Sequence, residues 1–200
     1  MPAARPALDL MPPPFADGLA DWSWGDGTPE TPSYDEAPFA RLATGDPDFG
    51  TCLEMRKVAP VQRLRYMGEL PLPGGGFVEV TARLKALRGP FASVRIAGWA
   101  GGAQGRAVPG LALAGPVVAF PAHCVVVTVS AVIGREALPG VDLVWDARAL
   151  YAHLGLDLLG PDKGVVRIAD IAVRDVTARF APEGVAVPGF AEPGRPAFRN

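Results

Sequence analysis

The chain predicts an all-β fold, a two-sheet antiparallel jelly-roll sandwich, and three observations lead there. Its 200 residues hold 24 Gly and 22 Pro, so breakers recur between short apolar runs where a helical protein avoids them. Within the runs, apolar and polar residues alternate with a period of two, the signature of half-buried strands. The runs recur at near-regular spacing with Gly/Pro turns, as sandwiches require. A chain of this size buries roughly 70% of the surface its unfolded form exposes, so one domain is stable without disulfide staples.

Residues 1–14 are dominated by Ala and Pro, and Pro12-Pro13-Pro14 favours polyproline II. They are expected to form an extended arm. The domain proper spans 15–180, and 181–200 form an extended tail in which Pro182, Pro188, Pro193 and Pro196 exclude helix and central strand. Such segments bury too little apolar surface to order alone. Leu10, Phe190 and Phe198 then read as anchors for docking on another subunit.

Phe77–Lys85 is the clearest strand, with Val78, Val80, Ala82 and Leu84 facing one way and Glu79, Thr81, Arg83 and Lys85 the other. The turn Pro73-Gly74-Gly75-Gly76 pairs it with Gln62–Leu70 as an expected hairpin. Ala92–Trp99 continues with Val94 and Ile96 inward, and Gly101–Gly105 opens a loop. Pro116–Phe120, His123–Ile133 and Val141–Trp145 follow, the second reading as a central strand covered on both faces. Asp146–Leu154 is the one segment expected to form a short helix. In Val165–Val176 the alternation slips at Asp170, since Val166 and Ile168 share one phase and Ile171 and Val173 the other. A β-bulge at Asp170 reconciles them.

The formal net charge is −2, with 19 basic and 21 acidic residues interspersed, which disfavours nucleic acid and anionic membranes as partners. No run of about 18 apolar residues is present, and the amino terminus lacks a signal-peptide core, so a cytoplasmic product is expected. Cys52 and Cys124 read as small core hydrophobes, with a disulfide between them left open. With His123 and His153 they lack the paired spacing of a zinc site. His153 reads as a partly buried structural histidine. No G-x-S-x-G elbow, H-E-x-x-H or P-loop occurs, and the acids sit in no diagnostic pair, so a non-enzyme is expected.

The segment FADGLADW at Phe15–Trp22 resembles the opening of β-jelly-roll carbohydrate-binding modules of the galactose-binding-like kind. DFGTCLE at Asp48–Glu54 and RIADIAV at Arg167–Val173 are similar to later strands of those modules. Sugar binding needs flat apolar surfaces beside planar polar groups. Trp99, Trp145, Tyr66, Arg83 and Arg95 are therefore the candidate carbohydrate-binding residues, with Trp145 and Tyr66 reading more readily as caps on the core and Trp99, before a Gly-rich loop, as exposed. Trp22 and Trp24 share a face on an extended segment and read as packing on the sandwich. The resemblance also implies one structural calcium between first and last strands, with Asp17 and Asp170 at the matching positions; Ala16 departs from the family's acidic residue there.

A narrower resemblance joins the Pro-rich arm to DWSWGDGTP, FGTCLEMRK and GLDLLGPDKGVVRIADI, at Asp21–Pro29, Phe49–Lys57 and Gly155–Ile171. This layout is similar to the head-spike proteins of alphaproteobacterial gene transfer agents, phage-derived particles. It implies a non-catalytic structural and adhesion component, a homo-oligomer on the particle surface, with tails on capsid or spike partners and a jelly roll on cell-surface polysaccharide. The alternatives are a polysaccharide-active hydrolase or lyase, and an architectural collar that binds protein only.

Overall fold

The computed structural model describes residues 9–25, 32–72, 76–90, 93–102 and 107–181. The strands in chain order are β1 (Trp22–Ser23), β2 (Ala40–Asp46), β3 (Gly50–Arg56), β4 (Val61–Tyr66), β5 (Leu70–Pro71), β6 (Phe77–Arg88) and β7 (Ser93–Gly101). They continue with β8 (Ala107–Ala114), β9 (Val118–Ala119), β10 (Val127–Gly134), β11 (Leu143–Val144), β12 (Tyr151–Leu159) and β13 (Val165–Asp175). One sheet runs β1-β4-β12-β7-β8, with β5 added to β12 and β9 to β7; the other runs β11-β10-β6-β13-β3-β2. Among the described residues every pairing is antiparallel except β10 with β11. The jelly-roll sandwich is as expected.

The core lies between the sheets because alternate residues of each strand are apolar. Leu64, Ile96, Leu154, Leu156 and Leu158 of the first sheet meet Leu53, Val78, Val80, Leu84, Ile133 and Ile168 of the second, all buried. β6 keeps the expected phase, and the bulge falls at the expected place. Asp170 adopts φ +50°, and the register to β6 jumps between Ala169 and Ala172, so Ile168 and Ile171 both point inward.

Several expectations are corrected. Gln62–Leu70 does not pair with β6; β4 pairs with β1 and β12 in the other sheet, so the connection after Leu72 crosses between sheets. The middle of that connection, 73–75, lies outside the described residues, as do 103–106 of the expected loop. Asp146–Leu154 is no helix, because Tyr151 onward enters β12, paired on both sides. β10 is covered on one face only: Thr128 and Ser130 are exposed, and Cys124, at φ +60°, precedes the strand in the open. Cys52 is buried and Cys124 exposed, both as free thiols.

The arm is corrected from Asp9 onward. Leu10 donates its backbone N–H to the Val173 carbonyl at 2.7 Å, and Leu10, Met11 and Phe15 are buried in the core. Arg174 adds an ion pair to Asp9 at 3.1 Å. Leu10 thus anchors the arm on its own domain. Residues 1–8 and 182–200, including Phe190 and Phe198, lie outside the described residues.

The hairpin between β2 and β3 folds over the outer face of the second sheet and carries an ion-pair ladder. Arg41 and Arg167 share the two oxygens of Glu54, while Arg167 and Lys85 share those of Asp46 at 2.6 and 2.8 Å. Lys85 also reaches Asp48 at 2.6 Å and lies 5.0 Å from the centre of the Phe49 ring. Burial alone raises the Asp46 carboxyl, but hydrogen bonds from Lys85 and Arg167 outweigh it and hold the group well below the usual carboxylate range.

Two outcomes follow for stability. Leu10→Ala should lower the melting temperature by roughly 5–10 °C, given about 2–3 kcal/mol for the lost burial in a domain of this size. Calorimetry checks it, and an unchanged midpoint would remove the arm from the fold. Because the folded value of Asp46 lies below the ~3.9 of a free Asp, its stabilising effect is full above that value and declines as pH falls toward the depressed one. Melting curves should therefore worsen below about pH 4. Asp46→Asn should cost ~3 kcal/mol at neutral pH and flatten that acid limb.

Candidate functional site

The first sheet presents an outer face built from the odd-numbered residues of three adjacent strands. β4 contributes Arg63 and Arg65, β12 contributes Tyr151, His153, Gly155 and Asp157, and β7 contributes Arg95, Ala97, Trp99 and Gly101. Cross-strand register brings them together: Arg65 beside Gly155 and Ala97, Asp157 beside Arg95, His153 beside Trp99, Tyr151 beside Gly101.

At one end, Asp157 holds two arginines. Its Oδ1 accepts from Arg65 Nη2 at 2.6 Å, and its Oδ2 accepts from Arg95 Nε and Nη2 at 3.0 and 2.9 Å. Arg65 also donates from Nη1 to the Leu156 carbonyl at 2.7 Å. The side chains of Arg65 and Asp157 are only 4% and 5% exposed, whereas Arg95 is 29% exposed, so Arg95 is the member that solvent and solutes meet. The buried pair fixes it in place.

At the other end, three rings cluster. Trp99 stacks on His153 with centroids 4.7 Å apart and planes at 26°, and Tyr151 packs edge-on to both at 5.9 and 5.8 Å. His153 Nδ1 donates to the Tyr66 carbonyl at 3.2 Å. Burial pushes the His153 imidazole below its ordinary value against the opposing effect of that carbonyl, so the ring is neutral at physiological pH. Tyr151 lies over Gly101, where an added Cβ would come within 2.2 Å of the ring.

Between the two clusters the floor is small. Gly155, Ala97 and, on β8, Ala114 form one cross-strand row. Gly155 is obligatory, since a Cβ there would sit 1.9 Å from the Leu64 carbonyl oxygen. The result is a shallow trough whose floor, Gly155 and Ala97, is itself buried, so its partly exposed members are Trp99 and Tyr151 at the aromatic end and Arg95 at the arginine–carboxylate end.

No family model matches the sequence, and no curated protein matches it. Among solved structures, the chain is similar to the CBM22-1 xylan-binding domain of Paenibacillus barcinonensis Xyn10C, with 11% identity and a TM-score of 0.59 over 87% of this chain and 98% of that one. It is also similar to the C-terminal family 22 carbohydrate-binding module of Clostridium thermocellum Xyn10B, with 10% identity and a TM-score of 0.53 over 84% and 92%. The enzymatically active domain of bacteriophage CBA120 tailspike protein 4 gives 11% identity and a TM-score of 0.52 over 84% of this chain but 21% of that one. The chain has the β-sandwich jelly-roll fold of the family 22 modules.

Within that jelly roll the five candidate sugar-binding residues separate. Trp99 and Arg95 share the trough. Trp145 is 6% exposed in the core and offers no ring face. Tyr66 turns inward onto Trp22, its centroid 5.5 Å away, and burial, with Asp21 adding, pushes its phenol up to about 12. Arg83 lies on the other sheet, paired with Asp170 at 2.6 Å. Trp22 is buried as expected, and Trp24 packs edge-on to Phe39.

The two calcium candidates are not brought together either. Asp170 carries its ion pair on the outer face of the second sheet, while Asp17 stands in the turn before β1 near Asp21, whose carboxyl rises through burial and the Asp17 charge. Among the described residues no group of three or more His, Cys, Asp or Glu gathers to hold a metal. No helix among them is long and apolar enough to cross a membrane.

The trough makes one stability forecast. Gly155→Ala should cost roughly 3 kcal/mol, as overpacking against backbone does, whereas Ala97→Gly, on the same row, should cost about 1. Urea unfolding of the two variants checks the contrast, and equal small effects would show that β12 does not lie so close to β4.

Proposed function

We propose that the protein is a non-catalytic polysaccharide-binding domain whose ligand lies in the trough between the Trp99 cluster and Arg95. The observation that carries this reading is the shared sheet face. Partly exposed Trp99 and Tyr151 rings, suited to the C–H faces of a sugar, share one outward row with an arginine held rigid by a buried carboxylate. Rigid presentation reduces the ordering cost of binding. The jelly-roll likeness to xylan-binding domains supports the same ligand class.

The outward rows of β4, β7 and β12 contain a single carboxylate, Asp157, and arginines occupy both its oxygens. Glycoside hydrolysis by two carboxylates has no second partner in these rows. This favours binding over the hydrolase or lyase reading. The sequence resemblance to gene transfer agent head spikes extends the proposal to a setting: adhesion of a phage-like particle to cell-surface polysaccharide, with capsid or spike partners on the tails.

Trp99→Ala should weaken binding to soluble xylan or a bacterial capsular polysaccharide at least tenfold in affinity electrophoresis, and Arg95→Gln should weaken it several-fold, with both variants melting lower than the parent but still folded by circular dichroism at the assay temperature. Trp145→Phe should leave binding intact. Retained binding in Trp99→Ala would place the ligand elsewhere, and release of reducing ends by the pure protein would establish an enzyme.

A further inference from the structure

A second groove stands on the opposite sheet. A groove of about 270 Å³ opens at the end of the outer face where β3, β13 and β6 lie side by side, lined by Phe39, Val165, Arg41, Glu54, Arg56 and Arg88 among others. Val165 pairs in register with Arg56 on one side and Arg88 on the other, so the two guanidinium stems flank it on neighbouring strands. The Arg56 backbone is fixed beyond the strand by its N–H donating to the Phe39 carbonyl at 2.8 Å.

The charges of this face do not balance at the groove. Arg41, Arg167 and Lys85 alternate with Glu54, Asp46 and Asp48 in the ladder, and Arg83 and Arg174 pair with Asp170 and Asp9. Arg56 and Arg88 are exposed and have no ion pair or side-chain hydrogen bond among the described residues. The carboxylate lining the groove, Glu54, has both oxygens occupied by Arg41 and Arg167, so it opposes an incoming anion weakly. A chain with net charge −2 therefore keeps two unmatched arginines on the rim of one groove.

The floor decides what kind of anion fits. Val165 supplies an apolar patch between the two cations, and Phe39 and Pro38 line the groove beyond Arg56, a lining for which a bare inorganic ion has no use. The volume lies near the ~300 Å³ lower end of small-molecule sites, the scale of one or two sugar rings. Guanidinium groups recognise planar carboxylates by paired hydrogen bonds. We infer that this groove binds a carboxylate-bearing sugar, a uronic acid unit of an acidic polysaccharide, with the carboxylate on Arg56 and Arg88 and the ring in the groove they line together with Val165. The site is independent of the trough on the other sheet.

Calorimetric titration of the full chain with trigalacturonate tests it, with xylotriose and sodium sulfate titrated in parallel. Trigalacturonate should bind, should weaken at least tenfold in 0.5 M salt, and should lose at least tenfold in the double variant Arg56→Gln/Arg88→Gln. Since neither arginine is paired, that variant should melt with the parent, which separates lost binding from lost fold. Trp99→Ala should leave trigalacturonate binding unchanged, so failure here and failure of the trough are told apart. No binding by the parent, undiminished binding by the double variant, or loss in Trp99→Ala would overturn the assignment. Sulfate binding as tight as trigalacturonate would overturn the sugar and leave a bare anion site.

Discussion

The outer face of the first sheet depends on how closely β12 lies against β4 at Gly155. With a Cβ excluded there by the Leu64 carbonyl, the strand can carry no side chain at the middle of its outward row. Arg65 can then run across the β12 backbone to reach both Asp157 and the Leu156 carbonyl. That buried charge pair in turn orients Arg95 from the next strand. Isolated burial of these groups would be costly, and it is tolerated because each charge meets several hydrogen bonds. Removing one partner would strand the other, so the arrangement acts as a unit.

The two outer faces use charge differently. On the second sheet the ladder runs unbroken from Arg41 to Asp48 and pins the β2–β3 hairpin, with the Phe49 ring beneath Arg83 and Lys85. Charges so matched hold structure and offer little to a ligand. On the first sheet two arginines share one carboxylate, and the exposed one has hydrogen-bonding capacity left. A sandwich of this size thus separates a stabilising face from a presenting one, and the exception on the stabilising face is the end of β3 and β6, where the ladder stops short of Arg56 and Arg88.

Much of the fold was legible because β-structure writes itself as alternation. β6 could be read from Val78, Val80, Ala82 and Leu84, and the bulge from a change of phase at Asp170, an Asp being among the residues that tolerate positive φ. β12 was missed because Ala, Leu and Gly in YAHLGLDLL mask the same alternation behind helix-leaning composition; its odd positions, Tyr151, His153 and Asp157, are the outward row. The Gly-rich turn before β6 signalled a reversal but could not say whether the chain turns within a sheet or crosses to the other. Of the site, Trp99 and Arg95 were found because they sit on one alternating run, whereas Arg65, Asp157, His153 and Tyr151 come from strands whose pairing no local pattern specifies.

Composition misled most plainly at the amino terminus. A Pro- and Ala-rich segment has little to bury by itself, which is why residues 1–14 read as a solvated arm. Yet a jelly roll leaves crevices where its sheets splay, and a chain that follows one needs only an occasional large side chain to close it. Leu10 and Met11 fill the crevice beside Tyr66, Leu154 and Val173, and Phe15, held at φ +62°, turns its ring onto Trp22 at 4.9 Å. The prolines between them lead into the turn closed by the Ala16 N–H on the Pro13 carbonyl, and their fixed φ already reduces the entropy lost on docking. What marks such a segment as part of a domain is therefore the spacing of its few anchors along an extended backbone, and average hydrophobicity is blind to it.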